Sequence, residues 1–339
     1  MLKKGMTLLM ALLLCLAAMG AQAEGGAVAF DQQTQTQTEI ALESEDMTPG
    51  TWTEGSEGES AKAADGDWSL SLDFGEEDEL PEEVKAIFGT DERVVVSKNK
   101  LTSWPYRAVV YLESTYPNGK IYNATGFMIG PSYVLTNGHC VYHKDDGGFA
   151  EKIVVTPARS GRTEPYGSTR SIWVSCMNEW YYDHNFRYDL GLIKTKDPIG
   201  NQTGWLGYYY PEDYELEDYV RIIGYGEGTE YLYEVEGYLS GTDNSDLQPI
   251  LDAERISNFY AYLEGRTEDV HHSNLQVEDA RIRYQIDTLP GSSGSPILKS
   301  HNGETGYAIG VNNSHDSRYN YGVRFTRKTV DFFKNYHGK

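Results

Sequence analysis

The chain has 339 residues, with Lys+Arg 29 against Asp+Glu 51 and a formal net charge of -22 at pH 7. Apolar residues make up 39% and mean hydropathy is -0.54, which excludes a membrane-embedded bundle. So acidic a surface would repel phosphate backbones and argues against a general nucleic-acid binder, and three cysteines are too few for a disulfide-built scaffold or a Cys-rich zinc module.

The first 23 residues read as an address. Lys3 and Lys4 precede a short apolar run over 8–18, and Ala21-Gln22-Ala23 supplies the small residues of a cleavage site. The run is short for a bilayer, so the expectation is secretion to the extracellular space with cleavage after Ala23. Residues 24–85 then carry 18 acidic residues and two basic ones, Lys62 and Lys85, a net of -16. With few apolar residues and a Gln/Thr tract over 32–38, this zone is predicted to be largely disordered, and ahead of a secreted hydrolase it reads as a propeptide. The signal carries +2, which leaves -8 for residues 86–339.

From about residue 90 short β-type runs follow one another between turns. Strands are predicted at 107–113, 126–129, 133–136, 153–156, 172–175 and 190–194, and again at 219–224, 281–286, 296–299, 306–311 and 322–326. Helical periodicity is confined to a C-terminal helix near 329–337. Without alternating helices a doubly wound sheet is disfavoured, and two groups of strands divided around 198–207 predict an all-β chain of two six-stranded antiparallel barrels, one over 86–200 and one over 207–328.

Three segments carry the chemistry: Leu135-Thr136-Asn137-Gly138-His139-Cys140, Tyr188-Asp189-Leu190-Gly191-Leu192-Ile193, and Asp287-Thr288-Leu289-Pro290-Gly291-Ser292-Ser293-Gly294-Ser295-Pro296. A serine hydroxyl needs an imidazole to accept its proton, and that imidazole needs a carboxylate to fix its tautomer and stabilise the imidazolium. The tetrahedral oxyanion needs backbone N–H donors, which a glycine-bearing turn can present. His139, Asp189 and Ser293, with the amides of Gly291 and Ser293, supply these parts in the chain order of chymotrypsin-type enzymes. Each motif alone is weak; together, at predicted strand boundaries, they are specific. An α/β-hydrolase elbow fails because Ser295 stands where Gly is required. His271-His272 and Asp145-Asp146 lack metal-ligand spacing and read as solvated loops.

Over residues 87–339 the sequence resembles the secreted bacterial glutamyl endopeptidases, a branch of the trypsin-like serine proteases. The likeness rests on Ile87-Phe88-Gly89-Thr90-Asp91-Glu92-Arg93, which looks like that family's mature start. It rests also on Trp104-Pro105-Tyr106-Arg107-Ala108-Val109 and on the three motifs above. The resemblance implies two six-stranded barrels with the triad between them, and a proenzyme released by an activating protease near Lys85 or by itself, giving a start near Ala86 or Ile87. It implies a monomer that cleaves protein or peptide substrates, with no cofactor, no metal, no nucleic acid and no membrane partner. The competing class is a non-catalytic, protease-like binding protein or toxin.

The sequence departs from that family in two places. A tract from 242 to 278 is longer than the usual connection, and 249–264 within it reads as a surface insertion or a lid. Asn312 stands in Gly310-Val311-Asn312 where the family has a histidine that helps bind an acidic side chain. The specificity pocket is expected at Thr288 and Asn312, favouring Glu or Asp, with relaxed or basic specificity as the alternatives. Asp287 is the residue that would attract Lys or Arg. With Cys15 lost in the signal, Cys140 and Cys176 remain as a pair in an oxidising compartment, and a bridge between them is expected.

Overall fold

The computed structural model describes residues 26–42, 51–53, 55–56, 91–210, 219–226, 230–242, 281–301, 304–315 and 319–339. The expected signal segment 1–23, the cut near Lys85 and the tract 249–264 lie outside the described residues.

The strands in chain order are β1 (Gly26–Asp31), β2 (Thr36–Ala41), β3 (Thr51–Thr53), β4 (Val94–Val95), β5 (Val109–Thr115) and β6 (Ile121–Met128). Then come β7 (Tyr133–Thr136), β8 (Tyr142–His143), β9 (Gly148–Phe149), β10 (Lys152–Pro157), β11 (Thr169–Met177) and β12 (Gly191–Thr195). The remainder is β13 (Gly207–Tyr210), β14 (Tyr219–Tyr225), β15 (Leu232–Thr242), β16 (Arg281–Tyr284), β17 (Pro296–His301), β18 (Glu304–His315) and β19 (Asn320–Arg324). Three short helices complete the described chain: α1 (Asn178–Asp183), α2 (Gly200–Thr203) and α3 (Arg327–Phe333).

Six strands close the first barrel in the order β10-β5-β6-β7-β12-β11, with β11 returning to β10. A second ring runs β17-β14-β15-β16-β19-β18 and closes through β17–β18. This is the expected all-β architecture. Alternating apolar side chains fill each barrel: Val110, Leu112, Val134, Ile153 and Ile193 in the first, Val220, Ile222, Leu239, Ile282 and Ile297 in the second. A third apolar cluster, including Phe127, Leu135, Leu190, Ile223 and Val311, joins the two. At roughly 1.5–3 kcal/mol for each fully buried large aliphatic side chain, these clusters dominate the stability.

The C-terminal helix begins at Arg327, where Thr326 and Thr329 form a reciprocal capping pair, and the chain continues as a 3-10 turn over Lys334–Tyr336. Val330, Phe332 and Phe333 are buried, and Tyr208 meets Phe333 edge to face. This packing locks the chain end across both barrels.

Three expectations are corrected. Residues 26–42, read as part of a disordered zone, form an ordered hairpin: β1 pairs with β2 and, on its other edge, with β11. Charge and polar composition missed it because only one short run, Ala27, Val28 and Ala29, is buried. Cys140 and Cys176 are free buried thiols, not a bridge. Both lie in the apolar core of the first barrel, and burial pushes the Cys176 thiol well above its ordinary pKa. Asp146, read as solvated, is fully buried and bonded to Asn118 and Lys120, while Asp145 is exposed.

Candidate active site

At the end of β7 the chain turns through Asn137 into the 3-10 turn Gly138–Cys140, which carries His139. Only glycine fits at 138, since a Cβ would stand 2.5 Å from the Trp180 ring. Asp189 follows the turn Phe186–Tyr188 and leads into β12, whose pairing with β7 sets Gly191 opposite Thr136 and Leu192 opposite Leu135. That register brings residues 139 and 189 to the same end of the barrel.

The two side chains meet. His139 Nδ1 lies 2.7 Å from Asp189 Oδ2, and the His139 backbone N–H donates to Asp189 Oδ1 at 2.9 Å. Asn137 Nδ2 donates to the Asp189 carbonyl at 2.9 Å, so the acid is held by its backbone as well. Asp189 is wholly buried while the His139 side chain keeps 27% exposure, enough to face a substrate. Burial works against the imidazolium. The Asp189 charge and hydrogen bond outweigh it and hold His139 well above the ordinary value near 6.5. With Nδ1–H given to the carboxylate, Nε2 keeps the lone pair a general base needs.

The Ser293 segment reaches this end from the second barrel. Gly291 and Gly294 both take φ +88, a conformation that side chains resist. A Cβ on Gly294 would stand 1.9 Å from the Thr125 carbonyl and 2.3 Å from Thr136 Oγ1. Hydrogen bonds cross the seam between the barrels: Thr125 N–H donates to the Ser293 carbonyl at 2.8 Å, and Thr125 Oγ1 to the Gly291 carbonyl at 3.0 Å. Thr125 sits on β6 and Thr136 ends β7, just ahead of His139. The serine segment therefore docks against the strand end that leads into the histidine. Thr125 and Thr136 were not singled out from the sequence, because their role is a contact between distant segments and no local pattern marks it.

The expected specificity residues are buried together but are not equivalent. Asn312 spends its amide internally: Nδ2 donates to the Ser292 carbonyl at 2.9 Å and to Ser292 Oγ at 3.1 Å, while Oδ1 accepts from Tyr284 Oη at 2.5 Å. Its backbone also pairs with Gly294 and Ser295. These bonds brace the serine turn from below. Asp287 is nearly buried and accepts the Glu92 backbone N–H at 2.8 Å. Thr288 is buried beside it and lines, with Arg93, Tyr225, Tyr233 and Leu289, a cavity of about 20 Å³.

A family model described as Trypsin matches residues 93–329. The glutamyl endopeptidase of Bacillus licheniformis is 32% identical over 264 residues, which cover 76% of this chain and 70% of that protein. A Bacillus subtilis protein named extracellular metalloprotease is 30% identical over 332 residues, 95% of this chain and 92% of that one. Among the described residues here, no group of three or more His, Cys, Asp or Glu is placed to hold a metal ion. Among solved structures, a Glu endopeptidase in complex with MPD shares the fold, with a TM-score of 0.55 and 24% identity over 74% of this chain and 98% of that one. No helix of the described residues is long and apolar enough to cross a membrane. With the matched region spanning both barrels and every segment of the site, the chain belongs to the trypsin family of serine endopeptidases.

Proposed function

We propose that this protein is a secreted proenzyme that hydrolyses peptide bonds through an acyl-enzyme, with Ser293 as nucleophile, His139 as general base and acid, and Asp189 as the orienting carboxylate. The observation that carries this reading is the 2.7 Å pairing of His139 Nδ1 with a fully buried Asp189, at the strand end on which the Ser293 turn docks. Ser293 attacks the scissile carbonyl as His139 Nε2 takes its proton. Asp189 stabilises the imidazolium, and the Gly291 and Ser293 amides receive the oxyanion. Collapse of the tetrahedral intermediate transfers the proton to the leaving amine, and water repeats the sequence on the acyl-enzyme. No cofactor enters this scheme.

The preferred residue on the acyl side is Glu or Asp. The named activity of the Bacillus licheniformis relative supports this. Asp287, the group that would draw Lys or Arg, already accepts the Glu92 amide, which weakens the basic alternative. An activating cut near Lys85 severs the chain between the residues before about 86 and the peptidase region. A fluorophosphonate probe should label Ser293, and a peptide-library profile should show cleavage after acidic residues. Absence of labelling in the processed protein defeats the catalytic reading, and cleavage chiefly after Lys or Arg defeats the specificity.

A further inference from the structure

The first barrel closes through a short β10–β11 pairing, and the rest of that β11 edge is taken by a further strand. β11 pairs with β10 at Arg170 opposite Val154 and Thr169 opposite Val155. Over residues 173–177 the same edge of β11 would be unpaired without another strand. β1 covers that edge with five antiparallel pairs, from Asp31 opposite Trp173 to Ala27 opposite Met177.

The inserted strand is not a surface decoration. Val28 is fully buried within the first barrel's core, in the same cluster as Cys140, Cys176 and Trp180. Ala27, pointing the other way, enters the cluster that joins the barrels. A strand buried on both faces is interior structure. Side chains seal its rim: Ser175 Oγ donates to the Val28 carbonyl at 2.9 Å, Gln32 Nε2 to the Ala150 carbonyl at 2.8 Å, and Phe30 stacks on Phe149 at 5.7 Å. β2 reaches α1, where Gln37 Nε2 donates to Tyr181 Oη at 3.0 Å and Tyr182 Oη to Glu39 Oε1 at 2.5 Å. The same helix carries Trp180, whose ring lies 5.9 Å from that of His139. The hairpin thus props the helix that walls the catalytic histidine.

We infer that the hairpin of residues 26–42 is a structural strand pair of the working enzyme, seated on the β11 edge and retained there as a separate piece after the activating cut. This rests on the proenzyme reading above, in which the whole of 24–85 would otherwise be discarded. The occupant chemistry is a short strand of small apolar residues, Gly26-Ala27-Val28-Ala29, recognised by main-chain pairing as in other strand additions.

The test begins with the full chain carrying Ser293→Ala, so that self-digestion is absent and binding is read without activity. A recognition sequence for a site-specific protease is placed between residues 44 and 48, the folded protein is cut, and the mixture is run on size exclusion with intact-mass detection. Retention of the hairpin piece at one per enzyme, with release on denaturant, is the expected result. Phe30→Ala should speed exchange against a labelled synthetic peptide of residues 24–44 by about tenfold, the cost of one aromatic stack. The same peptide bearing Val28→Asp should not exchange in, because it would place a charge in the core. In the active parent, N-terminal sequencing should find two starts, one near 24 and one near 86. A hairpin piece that elutes alone while the remainder keeps its melting temperature overturns the inference, as does a fully active single chain starting near 86. Those outcomes leave Ser293 labelling untouched, so the two readings fail separately.

Discussion

The two barrels contribute to the site by different physical means. The first supplies a His–Asp pair whose geometry is electrostatic, a buried carboxylate holding both the backbone and the ring of His139. The second supplies Ser293 through backbone conformation, with two glycines at φ +88 and a turn stitched to Asn312 and Thr125. One half is tuned by charge and therefore by pH; the other is set by shape and therefore by sterics. Substitutions in the two barrels should fail in correspondingly different ways.

The largest effect should come from Ser293→Ala, which ought to lower kcat by about three to six orders of magnitude while leaving urea unfolding unchanged. Asp189→Asn should lower kcat by about four orders, since the amide favours the wrong histidine tautomer. It should also move the acid limb of kcat/KM downward. In the parent that limb should lie above the ordinary imidazole value, because Asp189 holds His139 raised and only the neutral ring accepts the serine proton. A limb at or below about 6.5 in the parent would contradict the electrostatic account of the first barrel.

On the second barrel, Gly294→Ala should act through sterics. A Cβ there meets the Thr125 carbonyl at 1.9 Å in a left-handed conformation, so the loss should be about 2–4 kcal/mol in urea unfolding, with activity lost together with the fold. Asn312→Ala should cost about 1–3 kcal/mol by leaving the Ser292 carbonyl and Tyr284 hydroxyl without their partner. Its library profile should keep the parent's preference. A switch of preferred residue would show that Asn312 reads substrate after all. The smallest effect belongs to Asp146, whose carboxyl is held down at about 2, foremost by its hydrogen bond from Lys120. Its contribution is present above the ordinary carboxylate value and is lost as pH falls toward 2, so Lys120→Met should raise the midpoint of acid unfolding.

Much of this was legible in local pattern. The runs at 133–136 and 153–156 are short stretches of aromatic and branched apolar residues, and they lie in β7 and β10. β15 was missed because Glu234, Glu236 and Gly237 are poor strand formers taken alone. It forms because Leu232, Val235 and Leu239 face the core, while Arg221 on the neighbouring strand pairs with both glutamates. β1 and β2 were hidden for a related reason: an acidic, glutamine-rich neighbourhood masks a four-residue apolar strand that is stable only against a seam elsewhere in the chain.

The sequence by itself determined the residue types of the site, their order, and the all-β class, because nucleophile turns and alternating strands are written in contiguous residues. Tertiary structure alone decided three things. It gave Asn312 its partners under the serine turn, since the Tyr284 and Ser292 groups that bond its amide come from other segments. It left Cys140 and Cys176 as buried thiols where an even count had suggested a bridge. And it made residues 26–42 part of the first barrel, because the stability of a strand resides in the edge it covers, and that edge lies some 140 residues away on β11.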